Sequence, residues 1–405
     1  MTNKRLDAIY ITYWSLRDPL CESQCLPYIR GLADCGYRMG LITFEGEAAR
    51  MSRDDAARAK QLLSEQGVTW RPLRYHQRPP VLSTFADIGV GAAVLAQWCK
   101  SSGARLIHAR ASVPCAIGRA AQATTGVAFF ADADGPLSHE YVENGVWKEN
   151  SIPFRLTEWG ESNALGHADA IGVLSESRRR QLIGEYPTPI WVLPCAVDTE
   201  KYKPVRDRLT VRHSLGLDGT VFLYTGKLGG RYDENALFSF CEVAYARVPN
   251  ARFMFLTPHP EAPIRERFSR FGAAVTVKKV APDEVPNYLA ASDVGLSFVR
   301  QVPSASAGSP IKVGEYLSAG LPVVGGLGCT DYERAIVRAN AGVIVRAYDQ
   351  PSFRDACDQV VALLEDPSTK DRARRLAIER VGLNEVVLPR YREIYRSLIG
   401  APLGD

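Results

Sequence analysis

Short runs of β-branched and aromatic residues alternate with amphipathic segments along almost the whole chain, and this alternation constrains the fold more than any other feature. In the first half such runs stand at 8–12, 39–44, 105–109, 126–131 and 170–175. Helical patterns lie between them, for example from Glu22 to Ala33 and from Ile88 to Cys99. Alternation of this kind is typical of βαβ units, so it predicts a parallel sheet with helices on both faces.

The series restarts after a polar, turn-rich stretch from Pro194 to Pro204. The later runs stand at 221–226, 252–257, 275–280, 293–299, 322–326 and 342–347. A chain of 405 residues, 46% of them hydrophobic, is also long enough for two cores. We therefore predict an α/β protein with two doubly wound, Rossmann-like domains, over 1–200 and 201–385, that face a cleft and bind ligands outside the carboxyl ends of their strands.

Composition excludes several classes of protein. The 49 basic and 45 acidic residues are spread along the chain and leave a net charge of +4, which argues against a dedicated nucleic-acid surface. The first residues lack a signal-peptide cleavage site, and no run approaches the roughly 18 consecutive apolar residues of a membrane span. We expect a cytoplasmic protein, with association at the inner face of a membrane left open. Nine isolated cysteines without a CxxC pair predict neither disulfides nor a metal site.

The segment "GSPIKVGEYLSAGLPVVGG" at 308–326 carries the clearest helix signals. Ser309 is a good N-cap and Pro310 suits the first helical position. Gly320 can adopt the left-handed conformation that ends a helix, and Pro322 prevents its continuation. The pattern predicts a short helix whose free N–H groups and positive dipole end favour a bound phosphate.

Two charged residues follow in this predicted helix. Lys312 in the first turn adds a full positive charge, and Glu315 lies three residues later on the same face. Glu315 could bind a ribose hydroxyl or pair with Lys312. A ligand site and an ordinary surface ion pair therefore both remain open.

A second candidate segment, "VFLYTGKLGGRYDENALFSF", begins the second domain as a strand, a glycine-rich turn and a helix that opens at Asp233. Its glycines allow the backbone to approach a ligand closely, and they are Gly226, Gly229 and Gly230. Lys227 and Arg231 place positive charge at the end of the strand. The spacing is not GxGxxG, which disfavours a dinucleotide-dependent dehydrogenase.

The first domain contains a DxD triplet, Asp132-Ala-Asp134, after a predicted strand. Two carboxylates at this spacing can hold a divalent metal on a diphosphate. We favour the alternative that they face the cleft. Further cleft candidates follow predicted strands or turns, and they are His108, Arg110 and His139.

The segment "SPIKVGEYLSAGLPVV" resembles the donor-site signature of the retaining, GT-B-fold glycosyltransferases of family four. The resemblance implies that Ser309 and Lys312 bind phosphate and that Glu315 binds the ribose. Lys227 and Arg231 match the basic residues that contact the diphosphate in that family. Members commonly carry an earlier glutamate beside the donor sugar, and here Ala307 stands at that position.

The same resemblance implies roles for the rest of the chain. The first domain would be the acceptor side, with the loop and helix at 14–32 contributing, and the last segment, 386–405, would be a helix that returns to it. The nucleotide base would lie near the loop 280–285, which makes Val280 a donor-site candidate together with Pro310 and Ile311. Catalytic candidates are Arg231, Lys312, Glu315, Asp132 and Asp134.

The activity implied is transfer of a sugar from a nucleotide diphosphate sugar to a glycan or lipid-linked acceptor, in surface polysaccharide assembly. Retention of configuration, no cofactor and no obligatory metal are expected. An epimerase or phosphorylase of the same architecture remains open, and so does a degenerate protein that binds a sugar nucleotide without reacting. A two-lobed sugar-binding protein is disfavoured, since it would need no cations for phosphate.

Overall fold

The computed structural model describes residues 5–47, 51–204 and 208–403. The chain divides into two compact units: unit 1 is Met1–Pro194 with Val387–Asp405, and unit 2 is Cys195–Val386. Parts of the predicted domain ranges, namely 1–4, 48–50, 205–207 and 404–405, lie outside the described residues.

Unit 1 is built on a seven-stranded parallel sheet in the order β3-β2-β1-β4-β5-β6-β7. Its strands are β1 (Ala8–Ile11), β2 (Met39–Glu45), β3 (Val68–Arg74), β4 (Leu106–Arg110), β5 (Ala128–Ala133), β6 (Ala170–Val173) and β7 (Ile190–Val192). Its helices are α1 (Pro19–Gln24), α2 (Leu26–Ala33), α3 (Arg53–Glu65), α4 (Pro80–Ser102), α5 (Ser112–Thr125), α6 (Leu137–Glu143), α7 (Ile152–Gly166) and α8 (Glu176–Leu182).

Unit 2 repeats the plan with a six-stranded parallel sheet in the order β10-β9-β8-β11-β12-β13. Its strands are β8 (Thr220–Thr225), β9 (Ala251–Leu256), β10 (Val275–Lys278), β11 (Val294–Ser297), β12 (Val323–Gly326) and β13 (Gly342–Val345). Its helices are α9 (Arg208–Ser214), α10 (Glu234–Arg247), α11 (Glu261–Arg267), α12 (Val285–Ala291), α13 (Ile311–Ser318), α14 (Thr330–Ala339), α15 (Gln350–Glu365) and α16 (Thr369–Val381).

Both strand orders are those of a doubly wound sheet, in which the order reverses beside the first strand. The predicted fold class is confirmed, because every run of strand-like residues quoted above overlaps a strand of one of these two sheets. In unit 2 successive residues of β8 face opposite sides, so that Phe222 and Tyr224 pack in one hydrophobic cluster and Val221 and Leu223 in another.

The alternation missed two strands, β3 and β7, and both are sheet edges. β3 contains Pro72 between two arginines, a composition that only an edge strand tolerates. β7 has three residues, all half-buried, and it lies just before the predicted linker, which begins at Pro194. An edge strand needs no continuous apolar run, because only one neighbour covers its backbone.

Two predicted helices differ from the structure in their extent. The amphipathic segment from Glu22 to Ala33 is broken at Cys25, whose φ of −127° and ψ of −57° separate α1 from α2. Pro27 occupies the first turn of α2, where its missing N–H costs nothing. The segment from Ile88 to Cys99 is only the centre of the longer α4.

One helix among the described residues is long and apolar enough to cross a membrane by length and composition. It is α4 over Val81–Ser102, with a mean hydropathy of 1.4. Leu95, Trp98 and Cys99 of this helix pack in the core of unit 1, which accounts for part of its apolar character.

The last helix, α17 (Leu388–Ile399), belongs to unit 1. Tyr391 and Ile394 are fully buried, and the side chain of Leu388 lies so close to Gly31 that it leaves no room for a Cβ there. The side chain of Tyr37 donates a hydrogen bond of 3.0 Å to the carbonyl of Gly400. These contacts make α17 an integral part of the unit 1 core.

Candidate functional site

Both candidate segments of unit 2 lie where its strand order reverses, between β8 and β11. The glycine-rich turn follows β8 directly. A short 3-10 turn over Pro303–Ala307 and then α13 follow β11. Since ligands of doubly wound sheets bind at this point, the fold brings the turn and the helix to one potential site.

Helix α13 begins one residue later than the sequence suggests. Its N-cap is Pro310, and no side chain accepts a hydrogen bond from its first turn. The prediction that Ser309 is the N-cap is therefore wrong, while Gly320 has the expected left-handed φ of +76°. An uncapped helix start leaves its N–H groups available to an anion.

Ser309 has a structural hydrogen bond instead. Its buried hydroxyl accepts a hydrogen bond of 3.0 Å from the backbone N–H of Cys195 and lies 3.4 Å from the hydroxyl of Tyr332. This arrangement ties the start of α13 to the beginning of unit 2. A direct contact between Ser309 and phosphate stays a prediction.

Lys312 lies between two aromatic rings rather than at the surface. Its side chain is buried, and its Nζ is 3.8 Å from the ring centroid of Tyr224 and 3.5 Å from that of Tyr232. Among the described residues, the ammonium group has no hydrogen-bond partner. Rings attract a cation, but they cannot accept three N–H hydrogen bonds.

The electrostatics of Lys312 follow from this position. Burial holds the pKa of its ammonium group well below the usual value, and Glu315 opposes that shift. A Cβ placed on Gly226 would lie 3.6 Å from Nζ, so the lysine points to the first glycine of the turn. A buried, unsatisfied cation is costly unless a ligand completes its hydrogen bonds.

The turn after β8 needs its glycines. Gly226, Gly229 and Gly230 have φ values of +100°, +73° and +61°, which strain any other residue type. Gly308 lies directly against the guanidinium of Arg231. Arg231 is thus placed against the loop before α13, whereas Lys227 is exposed.

Glu315 pairs with a tyrosine. The hydroxyl of Tyr202 donates a hydrogen bond of 2.9 Å to Oε1 of Glu315. Burial raises the pKa of this carboxyl, and the hydrogen bond from Tyr202 and the charge of Lys312 oppose the shift. The simple surface ion pair that the sequence left open is not what the structure has, because Lys312 is buried and Glu315 is held by Tyr202.

The remaining donor-side candidates are less distinctive. Val280 and Ile311 are half-buried against a hydrophobic cluster of unit 2. Ala307 is 1% exposed at the end of the 3-10 turn and brings no carboxylate to the site. Asp233 is the N-cap of α10 and accepts a hydrogen bond from the N–H of Ala236, as predicted.

The candidates of unit 1 form a different kind of cluster. Asp132 is fully buried, and its Oδ2 accepts hydrogen bonds of 2.7 Å from Arg110 and 2.6 Å from the hydroxyl of Tyr391. The charge of Arg110 lowers the pKa of this carboxyl against the effect of burial. The expectation that Asp132 faces a cleft is therefore wrong, since its charge is neutralised inside unit 1.

Two more candidates belong to this buried cluster or its border. His108 is fully buried, and its ring nitrogens lie 2.9 Å from the hydroxyl of Tyr395 and 3.4 Å from Oδ2 of Asp132. Burial lowers the pKa of His108, which favours the neutral ring. Asp134 lies 3.1 Å from Arg110 with its side chain 27% exposed.

The last candidate of unit 1, His139, is exposed, and its Nε2 lies 3.6 Å from Oε1 of Glu158.

Within the described part of the chain, no cluster of three or more His, Cys, Asp or Glu side chains could hold a metal ion. Both carboxylates of the DxD triplet are engaged by Arg110. All nine cysteines lie within the described residues and none forms a disulfide, and all but Cys35 are buried.

Comparison with known proteins decides the family. A model described as "Glycosyl transferase 4-like domain" matches residues 22–196, and one described as "Glycosyl transferases group 1" matches residues 219–366. The chain belongs to the group 1 glycosyltransferases. None of the curated protein sequences compared with it matches significantly.

Several solved structures have a fold similar to that of this glycosyltransferase. Sucrose-phosphate synthase from Thermosynechococcus elongatus has a TM-score of 0.74 and 16% identity, and the alignment covers 98% of this chain and 100% of that one. Anabaena HepE in complex with UDP-glucose has a TM-score of 0.70, 16% identity and coverage of 97% and 100%. WaaG, a glycosyltransferase involved in lipopolysaccharide biosynthesis, has a TM-score of 0.68, 15% identity and coverage of 97% and 100%. The two-domain GT-B fold follows.

Sequence reasoning did not single out the tyrosines of the glycosyltransferase site. Tyr224 and Tyr232 stand inside the quoted segment after position 220, where they look like strand and turn residues. Tyr202 lies far from Glu315 in the sequence. The sequence does contain a signal, because Tyr224 and Tyr232 stand on either side of the glycine-rich turn. It can be interpreted only from the structure, which places Lys312 of α13 between the two rings.

Proposed function

We propose that this glycosyltransferase binds the diphosphate of a nucleotide diphosphate sugar at the start of α13 and transfers the sugar to a hydroxyl acceptor. The observation that carries the proposal is the buried ammonium of Lys312, which has no hydrogen-bond partner among the described residues. The uncapped N-terminus of α13 is the second source of unsatisfied donors. Anionic oxygen atoms would satisfy both.

Two further cations complete the diphosphate site. Arg231 lies against Gly308 in the loop that leads into α13, and Lys227 belongs to the same glycine-rich turn. Positive groups fixed before the reaction stabilise the negative charge that grows on the leaving diphosphate. We assign this role to Lys312, Arg231 and Lys227 together.

Glu315 is the candidate ribose ligand. One of its oxygens accepts a hydrogen bond from Tyr202, which fixes the carboxylate and leaves its second oxygen to accept from a ribose hydroxyl. The position next to Lys312 on α13 supports this role, because ribose and diphosphate are neighbours in the donor.

The reaction proposed is transfer with retention, without a metal or another cofactor. The bond between the anomeric carbon and the phosphate oxygen breaks, and the electron pair leaves with the nucleoside diphosphate. The acceptor oxygen bonds to the same face of the sugar, and its proton moves to an oxygen of the leaving diphosphate. The three cations named above support a metal-free route, since they can balance the charge of the diphosphate.

The acceptor proposed is a glycan or a lipid-linked glycan of a surface polysaccharide, modified in the cytoplasm or at the inner face of the membrane. An exposed apolar stripe on α7 supports a membrane-associated acceptor. Ile152, Leu156 and Trp159 are 76%, 41% and 67% exposed and lie on one helical face. Co-sedimentation with vesicles of mixed neutral and anionic lipids tests this part, and the triple substitution to serine should abolish it.

The donor site is tested by titration calorimetry with UDP, GDP, ADP, TDP and CMP, with and without a divalent metal. UDP is the first choice, because HepE has been solved with UDP-glucose. One nucleoside diphosphate should bind without metal, and Lys312→Met should weaken its binding about tenfold to hundredfold. Lys203→Met is the matched control, since Lys203 forms an exposed ion pair with Glu200 at 3.2 Å.

The outcomes separate the hypotheses. Equal binding by Lys312→Met and wild type contradicts the donor site, and no binding of any nucleotide contradicts the function. Analysis of the products formed from the matching nucleotide sugar distinguishes transfer from epimerisation or phosphorolysis. A donor that binds normally but never reacts indicates the degenerate protein.

A further inference from the structure

A second polar cluster lies in unit 1, apart from the buried network of Asp132. It joins three segments that are distant in sequence: Tyr13 two residues after β1, His76 two residues after β3, and Asp87 in α4. Tyr13 and His76 follow the carboxyl ends of parallel strands, so the cluster lies at the edge where doubly wound sheets bind ligands.

Asp87 is the centre of this cluster. Its side chain is 1% exposed, and its Oδ2 accepts hydrogen bonds of 2.7 Å from the hydroxyl of Tyr13 and 3.1 Å from the backbone N–H of His76. Its Oδ1 lies 2.5 Å from Nδ1 of His76. A buried carboxylate with these partners holds the imidazole ring in one orientation.

The orientation of His76 determines what its other nitrogen can do. Nδ1 faces the carboxylate of Asp87, which can only accept a hydrogen bond when it is ionised, so Nε2 is the nitrogen left for a ligand. The His76 side chain is 44% exposed, so a ligand can reach it. A ring nitrogen held at a ligand-binding edge is suited to a hydroxyl group, which can donate or accept a hydrogen bond.

The rings around the cluster fit the same class of ligand. Tyr13 makes an edge contact with Tyr75 at a centroid distance of 5.1 Å and with Phe44 at 4.7 Å. Tyr75 and the exposed Tyr141 are close enough to interact electrostatically. Aromatic rings next to a fixed polar group offer apolar faces to the C–H side of a sugar and an acceptor to its hydroxyls.

The geometry of His76 differs from that of an ordinary surface pair. His139 and Glu158 provide the comparison, since they are 3.6 Å apart with side chains 54% and 48% exposed. Such a pair contributes little to stability and fixes neither partner. In the His76 cluster the carboxylate of Asp87 is buried and also accepts a hydrogen bond from Tyr13. Burying this carboxylate costs desolvation free energy, and the arrangement holds one exposed imidazole ring in place.

We propose that His76, oriented by Asp87, binds a hydroxyl group of the acceptor sugar, with Tyr13 holding the carboxylate. The proposal rests on the proposed function, because the ligand is the acceptor of that transfer. His76 would contact the acceptor directly, whereas Asp87 and Tyr13 are positioning residues.

The test uses the full-length protein labelled with 15N at histidine. Methyl glycosides of glucose, galactose, mannose and N-acetylglucosamine are titrated, and the ring nitrogens are followed by long-range 1H–15N correlation. We expect the Nδ1–H tautomer of His76 in the free protein and a shift of its Nε2 signal with at least one glycoside. His76→Gln should weaken the binding of that glycoside by about tenfold. Asp87→Asn should weaken it by a similar factor and should also abolish the fixed tautomer of His76.

Two controls keep the outcomes distinct. His167→Gln changes another exposed histidine, whose Nδ1 bonds to the carbonyl of Asn163, and should bind the glycoside as wild type does. Nucleoside diphosphate binding reports on unit 2 in every variant. If no glycoside moves the His76 signal, or if His76→Gln binds equally well, the acceptor role is overturned even where nucleotide binding persists. Failure of nucleotide binding in the wild type would instead overturn the proposed function.

Discussion

Unit 1 and unit 2 each bury a cation near the carboxyl edge of the sheet, and the two are satisfied in opposite ways. Arg110 donates to Asp132 at 2.7 Å, lies 3.1 Å from Asp134 and faces the ring of Tyr28. Lys312 faces two tyrosine rings and has no hydrogen-bond partner in the described part of the chain. A buried charge that is neutralised internally stabilises the fold, and one that is left unsatisfied indicates a ligand site.

The largest effect is expected where the internal charge balance of unit 1 is removed. Asp132→Asn leaves the guanidinium of Arg110 buried with only Asp134 to compensate it, and should lower the free energy of unfolding by about 3–5 kcal/mol. Denaturant unfolding measures it. Asp134→Asn is the matched control, because Asp134 is partly exposed and its loss should cost about 1 kcal/mol or less.

The same contrast predicts how acid acts on unit 1. The folded state lowers the pKa of Asp132 below its ordinary value of 3.8. The stabilisation is therefore fully present above about pH 4 and is lost as pH falls through the lowered pKa. Asp132→Asn should show a weaker decline of stability below pH 4 than Asp134→Asn, and parallel declines would contradict the pairing.

Lys312→Met should change stability in the opposite direction. The folded state lowers the pKa of this lysine, so it binds protons less readily than the unfolded chain, and the charge opposes folding at every pH below the ordinary value of 10.5. Methionine fills similar space without a charge and should raise the free energy of unfolding by about 1–2 kcal/mol. Calorimetry without nucleotide measures this gain, and destabilisation would show that Lys312 is structural like Arg110.

The contrast also explains which features were accessible from sequence. Central strands are continuous apolar runs, so both sheets could be predicted apart from the edge strands β3 and β7. The start of α13 could be placed to within one residue, because Ser309, Pro310 and Gly320 act locally. The helix end was correct, and the error at the start arose because Ser309 bonds to Cys195 instead of capping.

What could not be predicted depends on register and packing between distant segments. Arg110 and Asp132 are direct partners in the pairing of β4 with β5, a register that a single sequence does not reveal. The same holds for the rings of Tyr224 and Tyr232 around Lys312. The charged candidates of the two units therefore looked alike in the sequence. In the structure Arg110 and Asp132 neutralise each other inside unit 1, whereas Lys312 of unit 2 has no such partner among the described residues.

The fourth prediction concerns the pH dependence of nucleotide binding. A bound diphosphate favours the charged form of Lys312, whose pKa burial lowers in the free protein, so binding takes up a proton. The dissociation constant should therefore rise with pH, by at most about tenfold per pH unit, over the range between the pKa values of the free and the bound protein. Burial raises the pKa of both facing tyrosines, Tyr224 and Tyr232, and also that of Glu315, so the Lys312→Met variant is needed to identify the contribution of the lysine. In Lys312→Met the dissociation constant of the nucleotide should no longer depend on pH in this way.

The smallest effect tests whether the unit 1 network extends along the last helix beyond Tyr391, which already donates to Asp132. Tyr395→Phe removes the hydroxyl that donates to Nδ1 of His108, a ring that burial keeps neutral and whose Nε2 faces Asp132. The unsatisfied nitrogen should cost about 1 kcal/mol and speed amide exchange within α17. Tyr245→Phe in unit 2 is the control, because that ring is 42% exposed. If exchange in α17 is unchanged while stability falls, the helix is held by its apolar contacts, and the network of charges in unit 1 ends at Tyr391.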